Sequence, residues 1–499
     1  MNSNPQVEQY LQILANLNNN TPERNVVGLD QSTITSFLQF DLELQQAIKM
    51  AKEVYDNLSA TEKQILTRSE DHQIEAIQDG FLNFYAATTL NPYVALAAKG
   101  PWVISSTGAV VFDCGGYGML GLGHNPKCVL DVLSKPMVMA NIMTANVSQK
   151  RLVKRLRESL GGNRPSCPFD RFICLNSGSE SMTVATRIAD ANALVQTGKG
   201  GPKENWKIKS LALKGAFHGR TDRPARVSHS CRPKYSKYLA SFRDLENLLL
   251  VTPNDCDELR AIFRQAEEEH VFIEAMLFEP VQGEGNPGAL ISREFYDLAR
   301  KLTMEHGGML IADSIQAGLR GQGCLSIIDY EGFEDCQAPD METWSKALNA
   351  GQYPLSVLGL TSRAAKCYSR GLYGNTMTTN PRALEVACAV LDKITPTVQK
   401  NIRERGKEFL AECKKMQQEL PHIITHVQGT GLLFSMELDE KYPVVDVRGI
   451  ERICREKGLG IIHGGSNALR FTPGFETTSE QVKLIMDIVR DVLQTYQPS

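Results

Sequence analysis

No apolar run in the 499-residue sequence approaches the roughly 18 residues that a membrane-spanning helix requires. None of the 12 cysteines is spaced as Cys-x-x-Cys, which removes the common structural zinc knots. They are also too dilute for a disulfide scaffold, and read as reduced thiols of a cytoplasmic protein. Charge of one sign is missing too: 54 Lys+Arg against 57 Asp+Glu leaves −3. No global field therefore draws nucleic acid or an anionic membrane. The opening Met1-Asn2-Ser3-Asn4-Pro5-Gln6 lacks the basic-then-apolar order of a secretory leader. His422 and His426 stand four apart with no acidic residue between them, an incidental pair rather than a metal site.

What is present is ordinary globular material, 42% hydrophobic and 22% charged. That balance excludes a disordered chain, and the length allows about two to four domains. In residues 1–90 an Asn-rich start precedes one apolar helical face over Asp41–Leu58 (Leu42, Leu44, Ala47, Ile48, Ala51, Val54, Tyr55), with a second helix over Ala60–Asp79. From Gly100 onward short apolar runs alternate with helical patterns. Phe172–Leu175, Leu211–Leu213, Ala275–Phe278, Met309–Ala312 and Ser356–Leu360 read as buried strands. Glu180–Gln196, Cys256–Glu269 and Arg293–His306 read as helices between them. This alternation predicts an α/β fold with a largely parallel sheet covered on both faces. After Pro381, helices over Arg382–Ile394 and Val398–Glu419 and strands around Gly431–Glu437 and Gly460–Phe471 suggest a smaller α+β domain.

Ligands of open α/β sheets sit beyond the carboxyl ends of the strands, so the residues there were read for chemistry. Asn176-Ser177-Gly178-Ser179-Glu180 opens a helix with small residues, a ready phosphate cradle. It matches neither the P-loop nor the dinucleotide fingerprint. Ala216-Phe217-His218-Gly219-Arg220-Thr221 sets an aromatic, a histidine and an arginine side by side, suited to stacking on a flat ring and gripping an anion. Glu279 precedes a glycine loop in Phe278–Gly285. Asp313 closes the apolar run Met309–Ala312, where a carboxylate needs a cationic or hydrogen-bonding partner. Lys346 follows 33 positions later (346 − 313) in Thr343-Trp344-Ser345-Lys346-Ala347-Leu348, where desolvation would lower an amine's pKa. Each signal alone has a plainer reading as a cap, a loop or an ion pair. Together they describe an aromatic aldehyde phosphate held by an amine, an anion opposite its ring nitrogen, a stacking ring and a phosphate cup.

The order N-S-G-S-E, A-F-H-G-R-T, E-P-V-Q-G-E-G, D-S-I-Q and S-K-A-L resembles the class III, or ω-amino-acid, aminotransferases that use pyridoxal 5'-phosphate. The resemblance covers the chain from about Gly100 onward and is nearest the 4-aminobutyrate and lysine 6-aminotransferase subgroup. It implies fold type I: a helical extension (1–90), the first part of a small domain (91–134), a large cofactor domain (135–380) and the rest of the small domain (381–499). It also implies a homodimer with shared active sites. By the same resemblance Lys346 is the Schiff-base lysine and general base, and Asp313 keeps the pyridine nitrogen protonated. Gln316 lies near the phenolic oxygen, Ser177, Gly178 and Ser179 form the phosphate cup, and Phe217 (with His218) flanks the ring. Thr376 reaches the partner subunit's phosphate. Arg220 would hold a distal carboxylate, Arg470 the α-carboxylate of glutamate or 2-oxoglutarate, and Glu279 would neutralise Arg470 when no carboxylate needs it.

Four positions depart from the family pattern. Ser314 stands where an acidic residue is usual after the aspartate, Thr378-Thr379 replace Gly-Gly, and Ser179 follows Gly178 where Ala is commoner. The implied reaction is ping-pong amino transfer from an ω-amino donor to a 2-oxo acid. A decarboxylase or aminomutase on the same fold, or a catalytically silent cofactor-binding homologue, are the alternatives.

Overall fold

A computed structural model describes residues 5–162, 164–243 and 246–498; Met1–Asn4, where the leader reading began, lie outside them. Its centre is a seven-stranded sheet in the spatial order Arg171–Leu175, Ser356–Leu360, Met341–Trp344, Met309–Asp313, Val271–Phe278, Lys207–Leu213, Leu248–Val251. Ser356–Leu360 runs antiparallel to both neighbours, and the five strands beyond it pair in parallel. Parallel pairing requires crossovers, among them Gly178–Thr197, Cys256–Glu268 and Arg293–His306. Every residue of Val271–Phe278 and Met309–Asp313 is buried, the signature of strands covered on both faces. Two of the seven strands are absent from the sequence reading. Met341–Trp344 carries Glu342 and Thr343, which break the apolar run although both are fully buried. Leu248–Val251 is a short edge strand.

Residues 5–90 form five α-helices, Pro5–Asn18, Gln31–Leu38, Leu42–Asn57, Ala60–Leu66 and Glu70–Gln78, instead of the two expected, and a short 3-10 turn at Ala87–Thr89. The helix expected over Ala60–Asp79 is broken at Thr67–Ser69. The first helix hides in polar sequence, yet its buried Val7, Tyr10, Leu14 and Leu17 recur at helical spacing. Leu42–Asn57 turns Leu44, Ala47, Ile48 and Ala51 onto the strands Ala95–Lys99 and Trp102–Ser105. Complete burial of a side chain such as Leu44 or Ile48 contributes about 1.5–3 kcal/mol. Trp102 Nε1 donates to Asp41 Oδ2 at 2.9 Å, fixing the start of that helix to the sheet. The extension is thus part of the packed core.

Two smaller sheets complete the molecule. One joins Ala95–Lys99, Trp102–Ser105 and Val110–Asp113 to Leu459–Gly460, so early and late sequence share one layer. The other orders Ile424–Thr430, Leu433–Leu438, Ala468–Phe471 and Ile462–Gly464 antiparallel, with Arg470 between Ser435 and Ile462. His426 lies in the first of these strands and His422 before it, so the two share no helix. All 12 cysteines are unpaired. Among the described residues no cluster could hold a metal ion, and no helix is long and apolar enough to cross a membrane.

Candidate active site

A cavity of about 630 Å³ opens at the carboxyl ends of the central strands, and ten of the residues singled out above line it: Ser177, Gly178, Ser179, Phe217, His218, Arg220, Glu279, Asp313, Gln316 and Lys346. Lys346 leaves the buried strand Met341–Trp344 through a left-handed backbone, φ +46°. A non-glycine residue pays for that conformation, and such strain gathers at functional sites. Its Nζ donates to Gln316 Oε1 at 2.6 Å. Burial, then the nearby Arg470 guanidinium, lowers its pKa to about 8 against the opposing pull of Glu284, Asp313 and Glu279. An amine poised there is neutral often enough near pH 8 to act as nucleophile or base.

Asp313 ends the adjacent strand, 3% exposed. Its Oδ2 lies 2.8 Å from His218 Nδ1, and its Oδ1 accepts from the Ile315 N–H at 3.1 Å. The carboxylate is therefore oriented without being neutralised by a lysine or arginine. His218 Nε2 is buried with no partner in the protein. At the helix start, Ser177 accepts from the Glu180 N–H at 3.3 Å, and the Glu180 carboxylate accepts from the Asn176 and Ser177 N–H groups at 2.8 and 3.1 Å. Two amides expected to be open are thus occupied. The Gly178 and Ser179 N–H groups, first in the helix, have no intrahelical acceptor. Ser179 Oγ accepts from the Arg220 and Thr221 N–H groups at 2.9 and 3.1 Å. Gly219 permits this approach: its φ is +113°, and a Cβ there would meet Ser179 Oγ at 2.3 Å.

The expected pairing of Arg470 with Glu279 is not what the structure brings together. Arg470, 2% exposed, donates through Nη1 to the Gly283 carbonyl and to Glu284 Oε2, the latter at 3.1 Å. Glu279 sits deeper, at the strand end, with Oε2 buried and unpartnered. Burial and then the Asp313 charge push its carboxyl well above the usual range. The reason is geometric. Gly465 N–H donates to the Glu284 carbonyl at 2.7 Å, clipping the glycine loop beside the strand that carries Arg470. Burial works against ionisation of Glu284, but Arg470 and then Lys346 hold its pKa below the ordinary value. The second glutamate of E-P-V-Q-G-E-G was visible in the sequence; the fold of the loop was not.

Thr376 is exposed and outside this cavity, its carbonyl accepting from Asn141 Nδ2 at 3.2 Å. Arg220 lies at the mouth, with Nη1 3.4 Å from the Tyr235 hydroxyl. Met119, Ser345, Asn349, Gln352 and Tyr353 line the cavity and were missed. For Met119 the signal was the glycine-dense stretch Gly115–Gly123, which brings a loop against Lys346 and Gln316. The donor set suits pyridoxal phosphate: an amine, an anion opposite it, an aromatic and small-residue helix start share one cavity, where His218 leaves a buried nitrogen unpartnered.

The family model for class III aminotransferases matches residues 84–493. The acetylornithine aminotransferase of Neisseria meningitidis serogroup B is 30% identical over 406 residues, 78% of this chain and 92% of that protein. The ornithine aminotransferase of Staphylococcus carnosus is 27% identical over 433 residues, 86% of this chain and 100% of that one. In three dimensions the ornithine aminotransferase of Toxoplasma gondii matches with a TM-score of 0.73 at 22% identity, over 88% of this chain and 98% of that one. The chain belongs to the class III aminotransferases, enzymes that use pyridoxal phosphate to pass an amino group between an amino donor and a 2-oxo acid.

Proposed function

We propose that the donor is an ω-amino compound, with ornithine, lysine and 4-aminobutyrate as the leading candidates, and that the acceptor is 2-oxoglutarate in a ping-pong cycle. The observation that carries this reading is the placing of the neutralisable Lys346 amine near two arginines, Arg220 at the cavity mouth and Arg470 beside it. Relatives named for ornithine and acetylornithine support the same class of donor.

When bound, pyridoxal phosphate supplies an aldehyde for the amino group and a ring that delocalises the electron pair left behind by a departing proton. Lys346 would hold that aldehyde, and its Nζ, oriented by Gln316 Oε1, is placed to take and return a proton. Asp313, fixed by His218 and the Ile315 N–H, would keep a proton on the ring nitrogen. Phe217 would flank the ring, and the Gly178 and Ser179 N–H groups with the Ser177 hydroxyl would receive the phosphate. Thr376, on the outer surface, would reach the phosphate of a second copy in a homodimer. Arg470 takes the acceptor's α-carboxylate after Glu284 yields it, while an ω-amine leaves the Arg470–Glu284 pair closed. Arg220 takes a distal carboxylate. Glu279, whose carboxyl is pushed well above the usual range by burial, faces the same chamber without gating Arg470.

The domain division is 1–90, 91–134, 135–380 and 381–499, a scheme supported by the sheet that joins residues 95–113 to 459–460. Twelve unpaired thiols support a reducing compartment, the cytoplasm. The test is a half-reaction panel: holoenzyme mixed singly with lysine, ornithine, 4-aminobutyrate and β-alanine, without acceptor. At least one should bleach the cofactor's visible band, and 2-oxoglutarate should restore it. Bleaching by none of them would overturn the donor class.

A further inference from the structure

The family match begins at residue 84, within the segment that links the last helix of the extension, ending at Gln78, to the first strand at Ala95. This segment is unlike the rest of the extension. Phe81, Leu82 and Phe84 are 82%, 100% and 67% exposed, three large apolar side chains within four positions. Scattered exposed apolar residues are ordinary, but a group of them marks a surface with a task. The segment is also firmly tied down. The carbonyls of Thr89 and Leu90 accept from Arg455 Nη1 at 2.8 and 3.3 Å, and Arg455 is itself buried and paired with Glu451. Tyr85 N–H donates to Asn83 Oδ1 at 3.0 Å, which bends the chain back at its tip.

The bend points toward the active site. The Phe84 and Tyr85 rings lie 4.2 Å apart, and Tyr85 stacks on Tyr117 with centroids 5.6 Å apart and planes 29° from parallel. Tyr117 has a left-handed backbone, φ +49°. The next residue, Gly118, lies so close to the lysine that a Cβ there would stand 3.3 Å from Gln316 Cγ and 3.7 Å from Lys346 Cδ. At the other end the Arg220 guanidinium lies over two rings, 6.0 Å from the Phe84 centroid and 5.4 Å from that of Phe217. Its remaining contacts, the Tyr235 hydroxyl at 3.4 Å and Cys231 Sγ at 3.8 Å, carry no formal charge. Aromatic faces attract a guanidinium without using its N–H edges, which stay free to take a carboxylate in bidentate fashion.

We propose that Phe84 and Tyr85 are positioning residues for donor recognition: the helical extension supplies the outer aromatic wall that holds Arg220, and so selects ω-amino donors ending in a carboxylate. This rests on Arg220 binding the donor, as argued above. It gives the extension a function in the chemistry beyond its packing on the small sheet. Arg470 and the acceptor's α-carboxylate are untouched by the wall, so its loss weakens only the grip on a distal carboxylate, that of the donor and the second carboxylate of 2-oxoglutarate.

The experiment compares holoenzyme variants Phe84→Ala, Phe84→Tyr and Tyr85→Ala, with Leu82→Ala as a surface control. KM and kcat are measured for whichever of lysine, ornithine, 4-aminobutyrate and β-alanine the wild-type protein turns over fastest, and for 2-oxoglutarate, and each variant's melting temperature is recorded. Phe84→Ala should raise the donor KM about two- to fivefold, and the 2-oxoglutarate KM with it, with kcat, the melting temperature and the cofactor's visible band held near wild type. Tyr85→Ala should shift the same constants in the same direction, Phe84→Tyr should restore them, and Leu82→Ala should change nothing. An unchanged donor KM would overturn the proposal. So would a rise accompanied by a lower melting temperature or a weakened visible band, which marks a loosened fold. Wild-type protein that turns over none of the four donors overturns the donor reading itself, a result separate from either of these.

Discussion

Glu342 lies in the central strand Met341–Trp344, fully buried, and burial pushes its carboxyl up to about 7 from an ordinary 4.5. Its Oε1 accepts from the Ser314 hydroxyl at 2.5 Å, and Oε2 accepts from the Ser326 hydroxyl. Ser314 thus meets a carboxylate supplied by the neighbouring strand. A pKa raised in the folded state means that native protein binds the proton more tightly. The stabilisation it brings is complete below about 4.5 and is lost as pH rises through 7. The full difference amounts to about 3 kcal/mol. Glu342→Gln removes the ionisation and keeps the shape, since either serine hydroxyl can turn to accept from the new amide. At about pH 8.5 the variant should melt roughly 3 °C above wild type, taking ~2 cal/mol/K of unfolding entropy per residue; near pH 4.5 the two should nearly coincide. The assay is thermal unfolding of both proteins across that range. A variant that melts lower throughout, or gains equally at both ends, would refute a buried neutral carboxyl as the cause.

Other outcomes follow from the site. Asp313→Asn keeps the hydrogen-bonding shape but removes the charge opposite the ring nitrogen, so kcat should fall about a hundredfold or more with the cofactor still bound; near-normal turnover would contradict its role. Lys346 titrating at about 8 implies that capture of added pyridoxal phosphate by apoprotein slows about tenfold for each pH unit below 8 and levels off above it. Stopped-flow absorbance would show this, and a profile still climbing steeply to about 10 would contradict the lowered value. Glu284→Gln should cost an ω-amino donor about fivefold in kcat/KM while glutamate is spared, because Arg470 loses its covering charge. Glu279→Gln should leave that donor-to-glutamate ratio unchanged, since this residue does not touch Arg470.

The sequence made the chemistry legible wherever it was local. Asp313 at the end of four apolar residues, Lys346 in a small apolar run, and Ser177–Ser179 ahead of a helix each declare themselves within ten positions, and the fold brings them into one cavity. The central strands were readable for the same reason, except where polar side chains are buried: Glu342 and Thr343 concealed one, and the serine hydroxyls that satisfy Glu342 come from 28 and 16 positions away. Choices between near neighbours were beyond local reading. Glu279 and Glu284 are equivalent on paper; the Gly465–Glu284 backbone bond decides which of them meets Arg470. The same holds for the aromatic tip at Phe84, whose partner Arg220 is 136 residues away (220 − 84). The five helices of the extension were half seen, since short polar helices depend on capping and on the surface they cover rather than on a long apolar stripe.

The central claim is that Lys346 carries the cofactor in a cavity it shares with Asp313. Borohydride reduction of the holoenzyme fixes the cofactor to whichever amine holds it, and peptide mass mapping then finds the residue. The account predicts one stoichiometric pyridoxyl adduct, on the peptide containing Trp344-Ser345-Lys346-Ala347. An adduct on any other lysine, or full cofactor content with no adduct on that peptide, would contradict it.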